Sequence, residues 1–235
     1  MKETSPFLTT EWRHLAMVNY EIDPTVLRKE IPSGTELDFH EGKTYLSIVG
    51  FLFLNTRMRG IPLPFHQNFE EVNLRFYVRH RAEEGWRRGV CFIREIVPRF
   101  AISFVARTLY NETYITRPME SQIDTDGVQY RWKNKGRWDS LHLKASEKPS
   151  PLPIGSLEEF IAEHYWGYSR TKEGGCLQYR VDHPPWKFTR ATETVVDIDV
   201  EALYGPRFRE ALSQKPDSSF IADGSPVSVF PGTPL

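Results

Sequence analysis

A chain of 235 residues, 40% hydrophobic and 13% aromatic, can bury a large core and does not have the composition of a disordered protein. A formal net charge of −1 gives no reason to expect nucleic acid or an anionic membrane as partner. The longest apolar run, residues 45–54, is too short to cross a bilayer.

In chain order, residues 10–20 hold Glu11, Trp12, Arg13 and His14 and then an apolar run, which predicts a strand. Asp23-Pro24 is a helix start, and the spacing predicts a helix over 25–31 that stops at Pro32. Residues 43–54 read as a strand buried on both faces, and 56–66, with Gly60, Pro62 and Pro64, as a long loop. Residues 68–79 alternate: Leu74, Phe76 and Val78 point one way, and Glu71, Asn73, Arg75, Tyr77 and Arg79 the other. Glu83-Glu84-Gly85 turns this strand into a second one over 87–97.

Residues 101–110 have the apolar spacing of a short helix. Strands are predicted over 113–123, 128–133 and 137–145, with tight turns at Asp126-Gly127 and Asn134-Lys135-Gly136. A Pro-rich stretch over 148–153 separates the two parts of the chain. Ser156 with Glu159 forms a capping box for a helix over 157–165. Two strands flank Glu173-Gly174-Gly175. A further strand is predicted over 187–199, and helix over 202–212 with a break at Pro206. Asp223-Gly224 reads as the turn of a last hairpin ending at Val227–Phe230. There is no repeat and no β-α-β alternation. The expected fold is a single domain over 1–235, α+β and mostly antiparallel β, with a closed or strongly curved sheet and a few short helices.

Several chemistries lack their residues. There is no phosphate-cradling glycine loop and no G-x-S-x-G nucleophile elbow. The seven histidines never occur at i, i+4 around an acid, and Cys91 and Cys176 have no Cys or His at metal spacing, so neither a metal nor another cofactor is expected. His183, before Pro184-Pro185-Trp186, reads as a turn or core histidine. The N-terminus lacks the apolar run of a signal peptide, and a cytoplasmic protein with reduced thiols is expected. The polar row from Glu71 to Arg79 has two readings. It is a solvated face whose charges screen one another, or it lines a cavity.

Three segments are similar to motifs of the YqjF-like family, DUF2071. Phe69-Glu-Glu-Val-Asn-Leu-Arg-Phe-Tyr-Val78 resembles its E-L-N-x-R-T-Y-V motif, Gly89-Val-Cys-Phe92 its G-V-x-F strand, and Ala106-Arg107 with Tyr114 its A-R…L-P-Y segment. That family resembles in turn the acetoacetate decarboxylase-like superfamily, which implies a cone-shaped antiparallel β-barrel holding a ligand inside. Trp12-Arg13 and Thr25-Val-Leu-Arg-Lys29 resemble the decarboxylase's N-R-E-Y…D-A-L-R-K segments. The resemblance places its carboxylate-binding Arg on Arg13, its active-site Glu on Glu71 and its G-R-E-L segment on Ala106-Arg107-Thr108-Leu109.

The resemblance departs at the nucleophile, because its two lysines would fall on Tyr114 and Ile115, inside an interval without Lys from Lys43 to Lys133. Schiff-base decarboxylation is therefore not implied. What remains is a small, anionic organic ligand. Arg13, Asn73, Arg75 and Arg107 would bind it, and Glu71 and Tyr114 would act as base and acid on a keto acid or other carboxylate. The alternatives are a ligand-binding module without turnover, or a scaffold whose polar row only stabilises the barrel. Neither nucleic acid nor membrane is an expected partner, and assembly into a homo-oligomer stays open.

Overall fold

The computed structural model describes residues 5–99 and 113–235. Its first strand, β1 (Leu8–Ile22), is buried throughout its apolar second half. Asp23 accepts a hydrogen bond from Thr25 N at 2.7 Å, and Pro24 opens a helix as expected. That helix covers only Pro24–Leu27, four residues against the seven predicted. Leu27 is its one core anchor, and so short a helix cannot persist without packing.

β2 (Glu36–Leu37) leads into β3 (Thr44–Met58), which is buried on both faces over most of its length. Residues 56–66 are less irregular than their glycine and prolines suggest. β3 runs on to Met58 and pairs with β4 (Ile61–Pro62). β5 (Phe69–Ala82) is the alternating strand and forms a hairpin with β6 (Gly85–Val97). The helix predicted over 101–110 lies outside the described residues.

The strand predicted over 113–123 is divided at Pro118, which cannot donate to a ladder. β7 (Tyr114–Thr116) runs parallel to β6, while β8 (Met119–Ile123) joins a different sheet with β9 (Gly127–Asn134) and β10 (Arg137–Lys144). β11 (Ser150–Pro151) precedes the helix Leu157–Ala162, whose capping Ser156 accepts from Glu159 N at 3.1 Å. β12 (Trp166–Arg170) and β13 (Cys176–Asp182) form the hairpin around Gly174. The single strand predicted over 187–199 is two: β14 (Lys187–Arg190) in the large sheet and β15 (Glu193–Asp197) beside β10.

Short helices at Val200–Tyr204 and Arg209–Leu212 flank a 3-10 turn at Pro206–Phe208. β16 (Ser218–Val229) then runs unbroken through Asp223-Gly224, and β17 (Thr233–Pro234) follows. The expected hairpin turn is thus a position inside a strand. Gly224 has φ +78° and pairs with Arg13 in an unbroken β1–β16 register, beside the place where β1 slips against β3, so the turn-forming conformation is used inside a continuous strand.

The large sheet runs β16-β1-β3-β5-β6-β12-β13, and β13 pairs back onto β16 at Val181↔Val229, so this path of hydrogen-bonded neighbours closes. The expected mostly antiparallel, barrel-like architecture is present. The two faces of β1, β3 and β5 have different tasks. Val18, Ile48, Leu74 and Phe76 pack outward against Val128, Tyr130, Trp132 and Leu141 of the four-stranded sheet β15-β10-β9-β8. Gly50 makes this contact possible, because a Cβ there would stand 2.6 Å from the Tyr130 ring. Met17, Val49, Phe51, Tyr77 and Phe220 point inward, and it is this inner face that carries the site.

Candidate functional site

Because Leu74 and Phe76 are committed to the outer layer, the period of two forces Glu71, Asn73, Arg75 and Tyr77 inward. They do not form a solvated face. Glu71 is 2% exposed and Arg75 8%. Glu71, Asn73 and Arg75 line one cavity of about 300 Å³ inside the ring of strands. Its remaining wall is mostly apolar, and Leu63, Pro64 and His66 of the segment after β4 lie along it.

The register brings two further strands to the polar row. Asn73 of β5 lies opposite Glu95 of β6, and Glu95 opposite Tyr114 of β7, so three polar side chains stand in one cross-strand line. Glu71 is the centre of this group. Tyr114 donates its hydroxyl hydrogen to Glu71 Oε2 at 3.0 Å, and Asn73 Nδ2 donates to Oε1 at 3.0 Å. Burial nevertheless dominates and pushes the Glu71 carboxyl up to about 7. The two hydrogen bonds and the Arg75 charge pull the other way. Near neutral pH the carboxyl is therefore poised between acid and base.

Arg75 is held from below. Its Nε donates to the Tyr77 hydroxyl at 3.3 Å and its Nη2 to the Ile161 carbonyl at 3.1 Å. The Tyr77 hydroxyl is in turn 2.5 Å from Ser47 Oγ, which donates to Asn19 Oδ1 at 2.6 Å. These partners are all neutral. Among the described residues, no carboxylate lies within ion-pair distance of the Arg75 guanidinium, although ion pairs are common elsewhere on the molecule. A buried cation with only neutral partners is costly to the fold and well suited to an anion from outside.

Residues that the sequence reading passed over complete the wall. Glu95 is buried at 2% exposure. His164 lies beside the ring of Tyr77, with centroids 4.7 Å apart, and its Nε2 is 3.4 Å from Asp38 Oδ2, which also accepts from Arg88 Nε at 2.6 Å. Burial lowers the His164 pKa to about 4, so the ring is neutral. Its Nδ1 is buried and has no hydrogen-bond partner among the described residues. His183 stacks on Trp186 at 4.2 Å and forms part of the wall, which gives the predicted turn histidine a place on the cavity as well.

One predicted residue does not join. Arg13 lies away from the cavity. Its neighbour Trp12 faces in, and the Arg13 guanidinium turns outward to Glu11 at 2.6 Å and to the Gly224 carbonyl at 3.2 Å. Arg107 lies outside the described residues. Among the described residues no lysine lines the cavity, so none of them can form an imine there. Among the described residues no group of three or more His, Cys, Asp or Glu side chains is placed to hold a metal ion, and no helix is long and apolar enough to cross a membrane.

The profile of the DUF2071 family, described as an uncharacterized conserved protein, matches residues 9–226. The chain belongs to the DUF2071 family. A curated relative, the uncharacterized protein YqjF of Bacillus subtilis (strain 168), is 28% identical over 199 residues, covering 83% of this chain and 80% of that one. Among solved structures, acetoacetate decarboxylase from Legionella pneumophila superposes with a TM-score of 0.71 at 12% identity, over 99% of this chain and 88% of that one. The enduracididine biosynthesis enzyme MppR complexed with pyruvate gives 0.69 at 10% identity, over 99% and 91%. An acetoacetate decarboxylase-like enzyme from Sphingomonas wittichii RW1 gives 0.67 at 12%, over 99% and 93%. At such identities these likenesses show the fold alone. This DUF2071 chain thus has an acetoacetate decarboxylase-like fold whose cavity has no amine nucleophile among the described residues.

Proposed function

We propose that the cavity binds a small organic carboxylate and moves a proton on it without Schiff-base chemistry. The observation that carries this reading is the pairing, in one cavity, of a buried Arg75 whose hydrogen-bond partners among the described residues are all neutral with a Glu71 carboxyl whose pKa lies near neutrality. Arg75 binds the ligand carboxylate. Glu71, in its ionised form, takes a proton from the carbon next to a carbonyl group, and Tyr114 supplies a hydrogen bond to the oxygen that gains charge. Arg13, assigned to the carboxylate by resemblance, has no part in this arrangement. A keto acid meets both requirements. MppR, of the same fold, was solved with pyruvate, a compound of that class. Binding without turnover is the second reading, because Tyr114 and Asn73 already occupy both oxygens of Glu71.

Thermal-shift screening of small carboxylic and keto acids followed by calorimetry tests the reading, since a ligand of the native state raises the melting temperature. For any acid so found, Arg75→Gln is expected to weaken binding by about 1.5–3 kcal/mol, the range for a hydrogen bond to a charged group. It is expected to leave the unliganded fold as stable as before, or more so. Undiminished affinity in the folded variant removes Arg75 from the site.

A further inference from the structure

The cavity has two unlike halves. Most of its polar side chains come from neighbouring strands β5, β6 and β7 and from the segment before β12: Glu71, Asn73, Arg75, Glu95, Tyr114 and His164, whereas His66 and His183 lie elsewhere on the wall. On the other side of β5, β3 and then β1 contribute aromatic rings instead, with Phe51 directly opposite Glu71 in the register. Trp12 meets Phe51 edge-on at 5.2 Å, Phe53 at 5.9 Å and Trp186 at 6.3 Å, and Phe53 stacks on Phe69 at 4.6 Å. This wall is continuous, and it offers few polar groups to a ligand.

A space of about 300 Å³ is far larger than a three-carbon keto acid needs. A polyhydroxylated acid would fill it, but most of its hydroxyls would lie against the Phe51, Phe53 and Phe69 rings, which neither accept nor donate, and would meet one open donor beside them, the Trp12 indole N–H, which costs more than leaving them in water. A flat ring, by contrast, finds faces and edges in the arrangement aromatic groups prefer. The carboxylate end has its place at Arg75, four residues along β5 from Glu71, the cross-strand partner of Phe51.

Building on the carboxylate reading above, we propose that the ligand is an aryl-substituted acid, its carboxylate on Arg75 and its ring against Trp12, Phe51 and Phe53. The wall then sets specificity by the length and flatness of the apolar body. Arg75 and the Glu71–Tyr114 pair act on the acid end.

Calorimetric titration with four probes tests this: phenylpyruvate, pyruvate, 2-oxooctanoate and the neutral phenylacetone. Phenylpyruvate is expected to bind roughly a hundredfold more tightly than pyruvate, the gain from taking a phenyl group's apolar surface out of water. It should also bind more tightly than 2-oxooctanoate, and Phe53→Leu should narrow the gap between phenylpyruvate and pyruvate. Should that variant fail to fold, the wild-type comparison decides alone. Equal affinity for pyruvate, tighter binding of 2-oxooctanoate, or no binding of phenylpyruvate at millimolar concentration overturns the aryl assignment. Phenylacetone binding as tightly as phenylpyruvate, with Arg75→Gln silent, contradicts the carboxylate reading instead and leaves the aromatic wall as the binding surface.

Discussion

Glu71→Gln is expected to stabilise the protein at alkaline pH and to leave it nearly unchanged at acid pH. The folded carboxyl titrates at about 7 against an ordinary 4.5. Between those values the folded state holds a proton that the unfolded state has released, so stability falls as pH rises through that window. The shift corresponds to about 3 kcal/mol, present in full above pH 7 and absent below 4.5. Gln carries no charge and keeps the shape, so the difference between variant and wild type in urea unfolding should rise from near zero to about that value. His164 works in the opposite direction. Its lowered pKa makes stability fall as pH drops from 6.5 towards 4. The wild-type curve alone is therefore flattened, and only the difference curve isolates Glu71. A loss of roughly 3–5 kcal/mol in Glu71→Gln at neutral pH would instead mean that the carboxylate neutralises a buried cation and serves the fold.

Gly224→Ala is expected to destabilise by roughly 2–4 kcal/mol, from a left-handed backbone conformation that disfavours a side chain and from overpacking. The backbone φ there is +78°, and a Cβ would stand 2.0 Å from the Trp12 carbonyl oxygen and 2.8 Å from Leu15 Cδ1. Neither β1 nor β16 can yield without moving Trp12, which is in the cavity wall. Aryl-acid affinity should therefore fall together with stability. Thermal melting with and without phenylpyruvate checks both, and an unperturbed melting temperature would mean that β16 relaxes at this position.

The inner row of β5 is legible in the sequence because Leu74, Phe76 and Val78 alternate cleanly with Glu71, Asn73 and Arg75, and the large apolar residues settle which face is covered. The neighbouring contributions are not, for a single physical reason: bulges change the parity of a strand. Counting back from the turn at Gly85 in an unbroken register sets Arg94 opposite Asn73. An irregularity between Leu74 and Arg75 leaves Ile93 without a partner and turns Glu95 to that position. In β1 the same difficulty conceals Trp12. Residues 11–14 are polar or amphipathic on both faces, and the shift between Arg13 and Ala16 detaches their parity from the apolar run that follows. The resemblance to decarboxylases therefore drew attention to Arg13, where the chain presents Trp12.

His164 escaped because the helix was expected to continue to 165, whereas it ends at Ala162 and leaves the ring free to turn towards Asp38 and the cavity. Strand 187–199 shows the corresponding limit for the fold. Its β propensity is continuous, but the chain crosses from one sheet to the other at Ala191-Thr192, a corner that only tertiary packing specifies. Asp223-Gly224 carries a real turn signal, but its left-handed glycine is accommodated inside the continuous strand β16.

The most direct test is the crystal structure of the protein with phenylpyruvate bound. The account predicts density inside the ring of strands, with the carboxylate within hydrogen-bonding distance of the Arg75 guanidinium, the carbonyl end against Glu71 and Tyr114, and the phenyl ring on Trp12 and Phe53. A ligand seated on the outer surface near Arg13, with Arg75 and Glu71 closed on each other and the cavity filled by side chains, would contradict it.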